Sequence, residues 1–339
     1  MNEEFTEFDE LLEDYKKKDN VFVRIFKAIF PCKGDSKKEI VRKILLFVAI
    51  IVMIVSGCYL LSEYVVKPYF ISKSINSQNE LLQNGESYNS WNDVKSKYDD
   101  VNFPTGMQMK YADLYAKNND FAGWLRVEAA GVDMAVVKSK NNEEYLNTGF
   151  DGGYAFNGCL FMDYRNDILN PDSNTVIYGH HIQTGEMFGR LKVYRELDTF
   201  KNFPIIKYST LFNDYNWKVC AVFITNAESK ADNGFVFNYN ETNIAPADME
   251  RFAKEIKQRS VYETGVDIKP DDKLLTLSTC IYDFKNARLV VVARMVRKGE
   301  SLNVDTSKAH YNDSPKYPQA WYDANKMTNP YKNSVHWNP

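Results

Sequence analysis

Leu274-Leu275-Thr276-Leu277-Ser278-Thr279-Cys280 is the stretch whose reading decides the fold. It is apolar and β-branched and holds neither Pro nor Gly, which predicts a buried strand. It ends on a thiol, and eight residues later Arg288 opens a second apolar run, Leu289-Val290-Val291-Val292-Ala293. Two strands joined by a short turn place a thiol and a guanidinium at the same end of a sheet. Roughly a hundred residues upstream, the pair His180-His181 ends a third run, Thr175-Val176-Ile177-Tyr178. Each piece alone is weak. A single Cys in an apolar strand is more often an inert core residue, as Cys159 and Cys220 are read here. An Arg that begins a strand is commonly a solvated edge charge. Adjacent histidines on a strand face opposite ways, so at most one of the pair can act.

Short strand patterns recur outward from this centre: Phe121–Val127, Val132–Val137, Cys159–Tyr164, Thr175–His180, Ile205–Thr210, Trp217–Thr225, Lys273–Cys280 and Arg288–Val296. Seven or eight short strands with polar connections argue for a mainly β fold, a barrel or sandwich, rather than alternating β/α units. Phe212–Asn216 carries hairpin chemistry. Met109–Asn118 has helical spacing. The connection from Thr225 to Lys273 is too long for a structureless loop. Inside it, Pro246–Lys257 predicts a helix: Pro in the first turn, acids early, bases late, and Met249, Phe252, Ala253 and Ile256 on one face. Such a helix forms a wall beside Cys280.

The chain of 339 residues has 42 basic and 45 acidic residues and a net charge of −3, a balance that offers nothing to a nucleic-acid partner. Five cysteines without a CxxC pair predict no disulfide framework. Four histidines, two adjacent and two in the C-terminal tail, predict no metal site, and no cofactor is expected.

Residues 1–20 are charged and change sign, and Val21–Phe30 reads as a short flanking helix. Ile44–Leu61 is eighteen residues without a charge, close to the minimum for a bilayer span. It starts too late and runs too long for a cleaved signal peptide. Lys33, Lys37, Lys38, Arg42 and Lys43 crowd its N-terminal flank, whereas Glu63 and Lys67 follow it. By the positive-inside rule the N-terminus is cytoplasmic and the chain after about residue 63 is outside the cell. Ser72–Tyr98 reads as a stalk or one or two short helices, with Leu81, Leu82, Trp91 and Val94 weakly spaced. Beyond Gly299 the chain is polar and carries four prolines, which predicts disorder. Its aromatics (Tyr311, Tyr317, Trp321, Tyr322, Tyr331, Trp337) leave open a tail that wraps back over the domain.

Thr276-Leu277-Ser278-Thr279-Cys280 resembles the TLxTC signature of sortases, the membrane-anchored cysteine transpeptidases of Gram-positive bacteria. Tyr178-Gly179-His180 resembles their histidine motif and Arg288–Ala293 their arginine strand, in the same His, Cys, Arg order. Val176–Phe188, Phe161–Asn166 and the helix-bearing insertion resemble class B. The resemblance covers roughly residues 105–298 and implies a sortase-like closed β-barrel of seven to eight strands with peripheral helices, preceded by one transmembrane helix. The limits that follow are a cytoplasmic segment 1–43, a span 44–62, a stalk 63–104, a catalytic domain 105–298 and a tail 299–339.

The resemblance also implies roles. Cys280 would be the acyl-forming nucleophile, His180 the acid/base and Arg288 the oxyanion stabiliser, with His181 facing away. Asn142, Leu146, Ser278 and Thr279 would contact substrate. Some class B members place an acid directly after the Cys. Here Ile281 and Tyr282 follow, Asp283 is the first acid, and no catalytic carboxylate is assigned. The implied substrates are surface proteins ending in an Asn-Pro-x-Thr type sorting signal. The implied acceptor is an amine of peptidoglycan or a pilin lysine. The alternative from another class is a membrane-tethered binding or scaffold domain that keeps the motif without turnover.

Overall fold

The computed structural model describes residues 21–339; the charged segment 1–20, assigned above to the cytoplasm, lies outside the described residues. They fall in two units that divide between Tyr69 and Phe70. The first holds helices α1 (Val21–Ile29) and α2 (Lys37–Leu61). Ser36 caps α2 by accepting the Glu39 amide. The charge-free stretch is entirely helical and its apolar side chains are almost all exposed. A helix apolar all round with nothing packed on it suits lipid rather than water. It is long and apolar enough to cross a membrane, and is compatible with a membrane anchor.

Helix α3 (Lys67–Glu86) runs on into the second unit, where α4 (Trp91–Lys97) follows under a capping box of Ser90 and Asp93. The segment read as a stalk is packed there. Ile71, Leu82 and Val94 are buried, and the Gln78 side-chain oxygen accepts the Ala135 amide at 3.1 Å. The helical pattern over Met109–Asn118 is realised as a tight turn, Met109–Tyr111, and a shorter helix, α5 (Ala112–Lys117).

Eight strands then close the barrel: β1 (Phe121–Val127), β2 (Val132–Val137), β3 (Leu160–Met162), β4 (Asn174–Tyr178), β5 (Ile205–Thr210), β6 (Asp214–Asn226), β8 (Leu274–Ile281) and β9 (Ala287–Met295). Between the last two pairs lies a minor strand, β7 (Tyr262–Glu263). Around the barrel the order is β1-β2-β3-β4-β8-β9-β6-β5, so the quoted strand β8 is central, parallel to β4 and antiparallel to β9. Its alternation is strict. Leu275, Leu277 and Ile281 fill the interior with Leu289, Val291 and Ala293 of β9. Leu274 turns outward, as do Val290 and Val292 of β9.

That outer layer is covered by the β6–β8 insertion. A short helix, α6 (Leu197–Asn202), precedes β5, and the insertion carries α7 (Pro246–Arg259) with Pro at its start. Met249, Phe252 and Ile256 of α7 are fully buried against Phe223, Val290 and Val292. The spacing that predicts the helix therefore also predicts its packing face.

The tail corrects the expectation of disorder. Glu300 bonds Arg294 and Lys218 at its root, β10 (His310–Tyr311) pairs with β7, and α8 (Gln319–Ala324) buries Tyr322. Its aromatics supply the apolar area that its polar composition conceals. Tyr317 stacks on Trp321 at 3.9 Å, and both pack against the barrel cluster.

Candidate active site

The last ladder pair between β4 and β8 is Tyr178 with Ser278. The parallel register continues past the strand end: the Gly179 amide donates to the Ser278 carbonyl at 3.2 Å, and the Thr279 hydroxyl donates to the Gly179 carbonyl at 2.8 Å. His180 follows Gly179 just beyond the end of β4. On the other side Cys280 faces Arg288 directly across the β8/β9 ladder. Directly opposed residues of antiparallel strands hold their Cβ atoms about 4.5–5.5 Å apart on one face. The ends of three neighbouring strands thus bring an imidazole, a thiol and a guanidinium to one cavity.

One cavity of about 220 Å³ collects every candidate residue: Asn142, Leu146, His180, Ser278, Thr279, Cys280 and Arg288, with Phe161, Tyr178 and Gly179 completing its lining. Larger clefts lie away from these residues, one beside α7 and the tail and another beside Asp167–Ser173. Chemistry therefore selects this cavity rather than size. Among the described residues no cluster of ligand side chains could hold a metal ion.

Local packing places His180. A Cβ on Gly179 would lie 2.4 Å from the Leu160 side chain and 2.7 Å from Phe188, so only glycine lets the chain pass here. The His180 Nε2 lies 2.8 Å from the Leu146 carbonyl oxygen, which can only accept. The proton therefore sits on Nε2, and Nδ1 is the nitrogen left for proton exchange. Gly158, at φ +53°, lets the chain press against the Tyr145 and Leu146 carbonyls and fixes that acceptor.

Cys280 and Arg288 are partly exposed, unlike the other barrel thiols. Burial pushes Cys159 and Cys220 up to about 12, which leaves them protonated and inert. The Arg288 side chain bonds only the Ala287 carbonyl, at 3.2 Å, and forms no ion pair among the described residues. Its remaining donors are free for an oxygen bearing negative charge. Asp283 is held at 3.0 Å by Arg195, so the first acid after Cys280 is committed to the β8–β9 turn. His181 stacks edge-on with Tyr282, and burial lowers its basicity. It does not line the cavity.

The proposed contact residues divide. Ser278 and Thr279 spend their hydroxyls on Tyr239 (2.8 Å) and Gly179. Asn142 donates to Asp163 at 3.1 Å and accepts the Tyr164 amide. These three hold the cavity's shape as much as they line it.

Sequence reasoning missed the groups behind them. Fully buried Asp163 takes bonds from Arg165, Asn142 and the Tyr178 hydroxyl (2.9 Å). Burial pushes its carboxyl up, but bonds from the Arg165 side chain and backbone and from Tyr178 outweigh burial and hold it below the usual range. Tyr178 in turn accepts from Asn240 of the insertion. The signal was present in Phe161–Asn166, read only as a class mark. Tyr239 and Asn240 stood in no motif.

A sortase domain model matches residues 125–296. Sortase B of Listeria monocytogenes is 30% identical over 226 residues, 65% of this chain and 89% of the relative. Sortase B of Staphylococcus aureus is 30% identical over 183 residues, 53% of this chain and 72% of the relative. Among solved structures, a Staphylococcus aureus sortase B–substrate complex superposes with a TM-score of 0.56 at 25% identity, covering 68% of this chain and 99% of that one. Sortase B of Clostridium perfringens gives 0.50 at 30% identity, covering 55% and 98%. With this family match over a closed barrel of the same kind, the chain belongs to the sortases, as a class B member of that family of cysteine transpeptidases.

Proposed function

We propose that Cys280, His180 and Arg288 carry out acyl transfer from a C-terminal sorting signal of the Asn-Pro-x-Thr type to an amine on the cell surface. The observation that carries the reading is the shared cavity: it is lined by all three side chains, with Cys280 and Arg288 directly opposed on β8 and β9. In the first half-reaction the Cys280 thiolate attacks the Thr carbonyl carbon and forms a C–S bond. Arg288 donates to the resulting oxyanion. The C–N bond breaks as protonated His180 gives its proton to the leaving amine, which yields a thioester. In the second half-reaction the acceptor amine attacks that thioester. His180 removes its proton, and Cys280 leaves as thiolate.

The wall of the insertion and the loop bearing Asn142 and Leu146 would bracket the N-terminal part of the signal. The cluster of Lys and Arg that precedes the charge-free stretch of α2 supports a cytoplasmic N-terminus with the barrel outside, where sorting-signal proteins and their acceptors meet. We assign peptidoglycan as acceptor. Incubating the full chain in detergent with an Asn-Pro-x-Thr peptide and either a glycine-type amine or a pilin tests this. The expected product is the Thr–amine conjugate. Transfer to the pilin alone would move the chain to pilus assembly. Neither cleavage nor transfer would leave a binding or scaffold domain.

A further inference from the structure

The tail lies beyond the residues matched to the sortase domain, which end at 296, and the proposed chemistry gives it no role. Its course points to one. Asn312 and Lys316 bond the end of α7 through the Ser260 and Gln258 carbonyls, at 2.9 and 3.0 Å. The Gln319 amide donates to Asp232 at 2.9 Å. The last residues then run along the insertion's loop. The His336 ring stacks on Phe235 at 4.2 Å, and Trp337 packs over the Arg251 guanidinium at 4.9 Å. The Asn338 Oδ1 accepts the Asn238 amide at 2.7 Å, while its Nδ2 donates to the Val236 carbonyl at 3.0 Å. A side-chain amide that satisfies one backbone donor and one backbone acceptor acts like a short added strand edge.

The next two residues of that loop stand behind the site and bond two residues that line it. Tyr239 bonds Ser278, two residues before Cys280, at 2.8 Å. Asn240 donates to Tyr178 at 3.0 Å, and its carbonyl accepts Arg165 at 2.6 Å. From the barrel side Asn174 holds the carbonyls of Tyr239 and Glu241. The loop is thus pinned by the barrel on one flank and by the end of the tail on the other.

We infer that Asn338 is a positioning residue for the site: the tail is a clamp in cis that fixes the insertion's loop, and with it Tyr239 and Asn240, which hold the Ser278 and Tyr178 lining against which the sorting signal is read. The inference rests on the proposed transpeptidation. The clamp acts on binding of the peptide and not on the reactivity of the thiol, and that separation makes it testable. Asn338→Ala removes both bonds, and Asn338→Asp keeps the acceptor for the Asn238 amide. Asn329→Ala, which cuts a bond to Gln319 inside the tail, serves as control.

The full chain in detergent is assayed for thioester formation with an Asn-Pro-x-Thr peptide, alkylation of Cys280 by iodoacetamide, and hydrogen exchange at the Asn238 amide. Asn338→Ala should raise KM about fivefold with kcat within about twofold, as loss of uniform binding does. It should also speed exchange at Asn238 and leave alkylation unchanged. Asn338→Asp should recover part of the KM, and Asn329→Ala should match the parent chain. An unchanged KM for Asn338→Ala overturns the clamp, as does a fall in kcat and alkylation together, which marks general loosening. If the parent chain forms no thioester, the transpeptidase reading fails. The clamp is then judged on Asn238 exchange alone, where no difference between parent and Asn338→Ala overturns it.

Discussion

At the residue scale, the site depends on groups that cannot themselves react. Gly179 is one. The Leu160 and Phe188 side chains occupy the space a Cβ would need, so Gly179→Ala must push the backbone that carries His180. Shifts of about 1 Å at a reacting group cost on the order of a hundredfold in rate. We expect Gly179→Ala to lower kcat by that order while the melting temperature falls only a few degrees. Loss of folding with normal kcat in the folded fraction would contradict it. Asp163 is another. Asp163→Asn keeps the shape, weakens the charge-assisted bond to Arg165 and presents an amide to the Tyr178 hydroxyl. Stability should fall by about 1–3 kcal/mol, read by denaturant titration, with KM for the signal rising more than kcat falls. The proposed proton transfers require one protonation state of Cys280 and one of His180, so kcat/KM should be bell-shaped in pH. A flat profile between about pH 5 and 9 would exclude the pairing.

At the scale of elements, the insertion and the tail work as a pair. Phe252 on α7 is fully buried against the outer face of β6 and β9. Phe252→Ala should cost about 3–5 kcal/mol, visible as a lower urea midpoint. Glu300 fastens the root of the tail, and its carboxyl is held well below the usual range by its bond to Arg294 first, then by Lys218 and the Arg297 amide, against burial. A carboxyl lowered in the folded state contributes stability above its unfolded value. That contribution is lost as pH falls through the folded one. Thermal unfolding followed from neutral pH into acid should therefore show a shallower loss of stability in Glu300→Gln than in the parent chain. Equal slopes would remove Glu300 from the acid response.

Much at this scale was legible in the sequence. Unbroken apolar, β-branched runs marked β8 and β9, and helical spacing marked α7 together with its buried face. Composition misled on the tail. Its polar residues dominate the average, while the contacts that order it (Tyr317 on Trp321, His336 on Phe235, Asn338 on Val236 and Asn238) are long-range and leave no local period. The packing of the helices read over Ser72–Tyr98 was not legible for the same reason, since Leu82 and Val94 bury in a cluster with Phe121 and Trp124 farther along the chain. That His180, Cys280 and Arg288 line one cavity was legible because each stands at or just beyond a strand end in a recognisable motif. Tyr239, Asn240 and Asp163 act through a cross-chain network that no single stretch displays.

At the scale of the whole molecule, the barrel carries the candidate site on an outer face, the inserted helix covers the outer layer of β6 and β9, and the tail bonds the insertion. An apolar helix stands ahead of the barrel and is compatible with a membrane anchor. The central claim is covalent: the signal is carried on Cys280. The most direct measurement is the intact mass of the full chain after incubation with an Asn-Pro-x-Thr peptide and no acceptor, quenched in acid to keep a thioester. The account predicts a mass increase equal to the peptide's N-terminal fragment through Thr. It should map to the peptide containing Cys280, be lost on treatment with hydroxylamine and be absent in Cys280→Ala. No adduct on the parent chain, or peptide cleavage that survives in Cys280→Ala, would contradict it.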